Sequence, residues 1–358
     1  MMMMNKTQKL FKNGRQEIAR AQKKRSLARF VNLNSMLGND WALIYGIIGG
    51  RMTGKSYSVC SRMCSLKKRL GDGCKAYWLR ISDLSCKQLL CNKADKLVDP
   101  DLKRKYQLEL TTKGNVVYNH GKTFAEVYPL ASFGKLKGVG FYDKDFDGKY
   151  FIVLDEFQLE QGEKRTSFDI LYNFLGMLEN IARTTKNNIE VWLLGNTLEE
   201  ASTIFKALNF IPEKFGRYYL KRKRCVIDYL EPTEEYLKDR QGSLADILGG
   251  GDMSNYTNTI KKDVKLITKQ RVHKPSFIIK FSKSENDWFV VWDSKIIKRY
   301  NKQTCDNIIS MRPYIDEFFN KEKKQSVLDM YDGQYFLYDT LITKTYFEDN
   351  LKKIRLTK

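Results

Sequence analysis

Residues 44–59 read IYGIIGGRMTGKSYSV, an apolar run that breaks into glycines and then into a lysine–serine pair. The spacing Gly49-x-x-x-x-Gly54-Lys55-Ser56 is that of a phosphate-binding loop. Its surroundings agree. Residues 42–48, ALIYGII, form a nearly continuous apolar run, as a strand buried on both faces of a parallel sheet requires. Residues 56–70, SYSVCSRMCSLKKRL, have helical spacing and stop at Gly71. Glycines let backbone N–H groups close around phosphates, and the helix that begins here points its positive end at them. The expectation is that Gly49, Gly50, Arg51, Met52, Thr53, Gly54, Lys55, Ser56 and Tyr57 hold ATP. Lys55 would bridge the β- and γ-phosphates and Ser56 would ligate Mg²⁺. A chance match is the competing reading, and the flanking strand and helix count against it.

Such a loop needs an acid at the end of a second buried strand, and residues 150–157, YFIVLDEF, supply one. Asp155 is expected to hold the Mg²⁺ and Glu156 to polarise the attacking water. The bland alternative is a pair of surface acids at a strand end. A further strand, IEVWLLGN, ends on Asn196, read either as a γ-phosphate sensor or as a turn residue. Between these strands, FDILYNFLGMLENIARTT (168–185) places Ile170, Leu171, Phe174, Leu175, Leu178 and Ile181 on one helical face. With KAYWLRIS (75–82) as another strand, the alternation predicts an α/β fold with a parallel sheet.

The balance of 63 Lys and Arg against 42 Asp and Glu gives the 358-residue chain a net charge of +21, which favours a polyanionic partner. Nine basic residues and one acid occupy 5–29, which reads as a basic arm or a solvated tail. Seven cysteines at irregular spacing suit neither a disulfide framework nor a CxxC zinc site, and two histidines exclude a His-rich one. No apolar core follows the N-terminal charges and no run of about 18 apolar residues exists, so neither a signal peptide nor a membrane span is expected.

Beyond residue 231 the pattern changes. A stretch with a glycine triplet reads as a linker, and SFIIKFS, DWFVVWD and KIIKRYN follow as three short alternating strands before the final helices. The division expected is a basic arm (1–29), an ATPase domain (30–231), a linker (232–266) and a C-terminal domain (267–358).

Taken in order, IIGGRMTGKSYS, YWLRIS, IVLDEF, LGMLENIART, VWLLGN and FIIKFSKSENDWFVVWD resemble the DNA-packaging ATPases of phi29-like small tailed phages, over roughly residues 35–340. The resemblance implies a P-loop ATPase domain of the ASCE type, a small linker domain and a C-terminal domain similar to an RNase H-like nuclease. It also implies a homo-oligomeric ring, a pentamer in that family, docked on the portal of a procapsid in the host cytoplasm and driving double-stranded DNA inward. A structural RNA is a further candidate partner. By match to the family's helix, Arg183 is the arginine expected to act in trans on a neighbour's nucleotide; its alternative role is a helix-end cation. Only Asp293 comes from the central C-terminal strands, with Asp287 and Glu285 in the turn between. That is too few carboxylates for a two-metal nuclease, which is therefore read as vestigial.

A translocating motor grips phosphates rather than base edges. Lys135 and Lys137 in SFGKLKGVG are the expected DNA grips, and Lys221–Arg224 in LKRKRC is a second basic cluster. Competing functions are a HerA-like conjugation or replication motor, a nucleotide-dependent portal scaffold and a small-molecule kinase. Glu156, the charge and the second domain disfavour the kinase.

Overall fold

The computed structural model describes residues 31, 33–50, 52–132, 143–157, 169–183, 188–195, 203–244, 247, 264–282, 287–313 and 319–356. They fall into two compact units, Met1–Glu199 with Lys214–Thr259, and Glu200–Glu213 with Ile260–Lys358.

The first unit begins with the short helix α1 (Asn34–Leu37), the strand β1 (Ile44–Ile48), the helix α2 (Lys55–Leu70) and the strand β2 (Cys74–Arg80). Then come α3 (Asp83–Ala94), α4 (Pro100–Tyr106), β3 (Leu110–Lys113), β4 (Val116–Asn119) and β5 (Lys122–Pro129). The strand β6 (Lys149–Asp155), the helix α5 (Ile170–Ala182) and the strand β7 (Ile189–Gly195) follow. The helix α6 (Thr203–Leu208) belongs to the second unit, and β8 (Gly216–Leu220), β9 (Cys225–Tyr229) and α7 (Glu234–Arg240) return to the first.

The strands form one sheet in the order β3-β4-β5-β2-β6-β7-β1-β9-β8. From β5 to β9 every pairing is parallel, as the unbroken apolar runs require. The expected parallel sheet forms the centre, and two margins are added to it, where β3 and β4 on one side and β8 on the other pair antiparallel. Short connections there reverse the chain without a crossover helix.

One face of the sheet is covered by α2, α3 and α4. Val59, Met63 and Leu66 of α2, Leu89 of α3 and Leu102 of α4 pack with Trp78, Phe151, Val153, Trp192 and Leu194 in a continuous core. The rings of Tyr45 and Trp192 stack at 4.8 Å. The helix α5 is capped at its start by Asp169, whose carboxylate accepts from the amides of Leu171 and Tyr172. Its buried face is Asn173, Phe174, Met177, Ile181 and Ala182, which corrects the expected stripe. Leu175 is 53% exposed, because the buried face is centred on Phe174 and Met177 and turns Leu175 outward beside Tyr172.

At the amino ends of β6 and β7 lies a buried ionic cluster. The Glu190 carboxylate accepts from Arg62 Nε and Nη2, both at 3.1 Å, from Lys149 Nζ at 2.9 Å and from Trp192 Nε1 at 3.0 Å. It therefore ties α2, β6 and β7 together at the sheet end remote from the glycine-rich loop.

The second unit is a five-stranded sheet of order β13-β10-β11-β12-β14. Its strands are β10 (Pro275–Lys280), β11 (Trp288–Trp292), β12 (Ile296–Tyr300), β13 (Ile308–Ser310) and β14 (Leu337–Tyr338), accompanied by the helices α8 (Lys321–Asp332) and α9 (Leu341–Arg355). Phe347 of α9 is fully buried, with the rings of Phe281, Phe289 and Phe336 at 5.3–5.8 Å. The helix α6 joins this unit through a Lys206–Asp349 ion pair and through the Tyr346 hydroxyl, which donates to Lys206 O at 3.2 Å.

Asp293 is not on a central strand, as expected, but opens the β11–β12 turn with φ 48°. Its carboxylate accepts from the amides of His273 and Lys274 at 3.1 and 3.0 Å, which holds it below the ordinary carboxylate range. Asp287 is paired with Arg299 at 2.5 Å, and Glu285 lies outside the described residues.

Candidate nucleotide site

The strand β1 delivers the glycine-rich loop to the carboxyl end of the parallel sheet. There the Gly49 amide donates to Gly195 O, at the end of β7, at 3.2 Å. Gly49 is closely packed: a Cβ here would stand 2.9 Å from Leu230 Cδ1 and 3.0 Å from Leu230 Cβ, so the leucine would have to give way to admit one. Gly54 takes φ 78°, a left-handed conformation that costs glycine nothing, and turns the loop into α2. No side chain caps this helix, so its first amides face the loop's interior.

Lys55 is 5% exposed. Its ammonium donates to Gly49 O at 2.8 Å and Gly50 O at 2.7 Å, and Thr53 Oγ1 donates to Gly50 O at 2.9 Å. A buried ammonium is tolerable only with such partners, and here the loop's own carbonyls gather it into the concavity. Of the other loop residues, Met52 is exposed with φ 63°, and Tyr57 is partly buried against the core.

Ser56, the second residue of α2, directs Oγ to Asp155 Oδ1 at 3.3 Å, across 99 residues of sequence. Asp155 closes β6 and is 2% exposed. Its other oxygen, Oδ2, accepts from Trp78 Nε1 at 3.2 Å and Arg80 Nη2 at 2.9 Å. Arg80 Nη1 reaches Glu156 Oε2, also at 2.9 Å. Glu156 has φ 54°, a left-handed turn that carries its half-exposed carboxylate off the strand. One guanidinium at the end of β2 thus touches both acids at the end of β6.

Arg80 and Trp78 had no assigned role in the sequence. The signal available was that YWLR and IVLDE both end on charged residues; that they end side by side depends on the β2–β6 register. Ser56 Oγ and Asp155 Oδ1 are hard oxygen donors whose separation suits two neighbouring ligands of an octahedral Mg²⁺, which lie about 3 Å apart when each is about 2.1 Å from the ion. Among the described residues no group of three or more His, Cys, Asp or Glu side chains is poised to hold a metal.

Arg183 does not join this group. The helix α5 starts beyond the carboxyl end of β6 and leads back to the amino end of β7, and its 13 residues span about 20 Å. Arg183, exposed at its C-terminal cap, therefore sits at the sheet end opposite Asp155 and Glu156. Lys221–Arg224 also lies at that remote end, in the tight turn between β8 and β9, where Arg224 Nε donates to Trp41 O at 3.0 Å. Arg51, Asn196, Lys135 and Lys137 lie outside the described residues. No described helix is long and apolar enough to cross a membrane.

No family model matches the chain. A curated relative, the lacticin 481/lactococcin biosynthesis protein LcnDR2 of Lactococcus lactis subsp. lactis, is 24% identical over 216 residues, which is 54% of this chain. The matched stretch is 21% of that protein's length, so this chain spans about a fifth of it. Among solved structures, the bacteriophage Phi-29 viral genome packaging motor assembly superposes with a TM-score of 0.62 at 17% identity, covering 92% of this chain and 100% of that one. The Phi-28 gp11 DNA packaging motor gives 0.59 at 15% identity, covering 89% and 96%. Across nine-tenths of its length, the chain has the fold of the phi29-type packaging motors.

Proposed function

We propose that this chain is the ATPase of a viral DNA-packaging motor, which hydrolyses ATP to move double-stranded DNA through a portal into a procapsid. The observation that carries the reading is the meeting of four residues: Lys55 in the loop, Ser56 at the helix start, buried Asp155 opposite Ser56, and Glu156 beside it. Lys55 and the first amides of α2 would hold the phosphates, and Glu156 would orient and deprotonate the attacking water. Ser56 and Asp155 would hold Mg²⁺, which supplies charge neutralisation on the phosphate oxygens. Arg80, bridging the two carboxylates, fixes both acids to the sheet.

The shared fold supports the motor reading over that of a kinase, and the charge of +21 supports a polyanionic track gripped without regard to sequence. Lys135 and Lys137 are the proposed grips and Asn196 the proposed γ-phosphate sensor. The remote placement of Arg183 favours action on a neighbour's nucleotide, and hence a ring seated at the portal vertex in the host cytoplasm. On the same reading residues 30–231 are the ASCE-type ATPase domain and residues 232–266 are a linker. Residues 267–358 are an RNase H-like domain without nuclease activity, a view supported by the structural partners already held by Asp293 and Asp287.

The test is ATP hydrolysis by the purified chain with and without duplex DNA. Hydrolysis stimulated by DNA of unrelated sequences and abolished by Lys55→Ala is expected. Hydrolysis indifferent to DNA, or accelerated by a small hydroxyl acceptor, would refute the motor.

A further inference from the structure

The indole of Trp78 is buried in the core beneath α2, yet it is not only a filler. An indole nitrogen can donate but not accept, so its 3.2 Å contact with Asp155 Oδ2 is a hydrogen bond from Trp78 to the carboxylate. Arg80 Nη2 donates to the same oxygen at 2.9 Å. A carboxylate oxygen offers about two acceptor sites, so this pair of donors occupies Oδ2. The oxygen facing Ser56 is then Oδ1, at 3.3 Å.

The register explains how both donors arrive. In the parallel β2–β6 pairing, Trp78 lies opposite Val153 and Leu79 opposite Leu154, so Trp78 and Arg80 project from the same face as Asp155. A phenylalanine at position 78 would fill most of the same space and leave one site on Oδ2 open.

We propose that Trp78 is a positioning residue for the metal site: its N–H locks the rotation of the Asp155 carboxylate, so that Oδ1 is presented to Ser56 and to a Mg²⁺ bound with nucleotide. This rests on the phosphate-loop reading above. Partners of this kind, one bond removed from a metal, change metal affinity by about 10- to 100-fold when lost. Because Arg80 remains on Oδ2, the lower figure applies here.

The experiment uses the full chain with Trp78→Phe, and with Trp78 replaced by 3-benzothienylalanine, which keeps the bicyclic shape and has sulfur where the indole has N–H. Binding of a fluorescent ATP analogue is titrated in EDTA and against Mg²⁺. In EDTA both proteins should bind as the wild type does, while the Mg²⁺ concentration for half-maximal effect rises about tenfold. Superimposable Mg²⁺ titrations of the wild type and the benzothienyl protein would overturn the proposal. So would an equal loss of affinity in EDTA and in Mg²⁺, which is the signature of packing alone. A wild type that binds the analogue in neither medium would instead overturn the phosphate-loop reading, and this proposal with it. Should Trp78→Phe fail to fold, the isosteric replacement decides.

Discussion

Replacing Glu190 by glutamine probes the buried charge cluster at the end of the sheet remote from the glycine-rich loop. Glutamine keeps one acceptor oxygen in place for the Arg62 Nε and Trp192 bonds, but puts an NH₂ where Oε2 met Arg62 Nη2 at 3.1 Å and Lys149 at 2.9 Å. Two charge-assisted bonds, each contributing about 1.5–3 kcal/mol, are lost. The loss is offset because an amide costs less to bury than a carboxylate, and because Arg62 and Lys149, with side chains 24% and 29% exposed, can turn to water. The net expectation is about 3 kcal/mol, or roughly 6–12 °C in the melting temperature of a unit of this size.

The pH dependence follows from the same contacts. Burial opposes the Glu190 charge, but hydrogen bonds and attraction from Arg62 and Lys149 outweigh it and hold the folded pKa below the ordinary 4.5. A depressed carboxylate pKa stabilises the fold above the unfolded value and ceases to do so as the pH falls through the folded one. The wild-type advantage over Glu190→Gln should thus be constant from pH 7 to about 5 and shrink at lower pH. Thermal unfolding of both proteins across that range measures it. Equal melting temperatures at pH 7, or a gap that widens on acidification, would refute the reasoning.

Glu156→Gln should bind ATP but not turn it over, since the amide can still accept from Arg80 while losing its basicity; a filter-binding assay showing no ATP retention would contradict the assigned role. Changing Lys135 and Lys137 together to alanine should reduce the slope of log K against log salt for duplex DNA by up to about two units, equally for unrelated sequences; an unchanged slope would remove them from the interface. Arg183→Ala should bind ATP normally and lose roughly three orders of magnitude in turnover. Mixing it with Glu156→Gln should restore some hydrolysis, because a mixed interface pairs an intact Glu156 with an intact Arg183. Absence of recovery in demonstrably mixed rings would count against action in trans.

The centre of the first unit was legible because a strand buried on both faces is apolar along most of its length, and β1, β6 and β7 are so except for Lys149, Asp155 and Glu190 near the strand ends. Its margins were not. The runs LTTK and VVYN of β3 and β4 are too short and mixed to declare themselves, and their pairing depends on turns rather than on burial. The α5 stripe was misjudged at Leu175 because a helix rich in apolar residues offers more than one plausible face, and only packing against the sheet selects among them. Glu156 and Asp155 were readable from a motif, whereas Trp78 and Arg80 act through a register between strands some 75 residues apart. Asp293 read as a strand residue because the apolar run WFVVW leads straight into it, but the chain turns at that letter to place the carboxylate under the amides of His273 and Lys274.

The close approach of Leu230 to Gly49 separates two kinds of information that the loop motif mixes. A glycine at 49 avoids crowding Leu230, which follows β9, and one at 54 takes a left-handed turn; neither preference involves a ligand. A descendant of this chain that had abandoned nucleotide would still be held to both glycines by its own packing. Lys55 and Ser56 answer to contacts of a different kind, the ammonium on the Gly49 and Gly50 carbonyls and the hydroxyl on Asp155, which a bound phosphate and its metal would redirect. The glycines therefore answer to architecture, and the proposed phosphate chemistry rests on the lysine and serine. Replacing Leu230 by glycine, which removes Cδ1, Cγ and Cβ from the contact, should make Gly49→Ala tolerable.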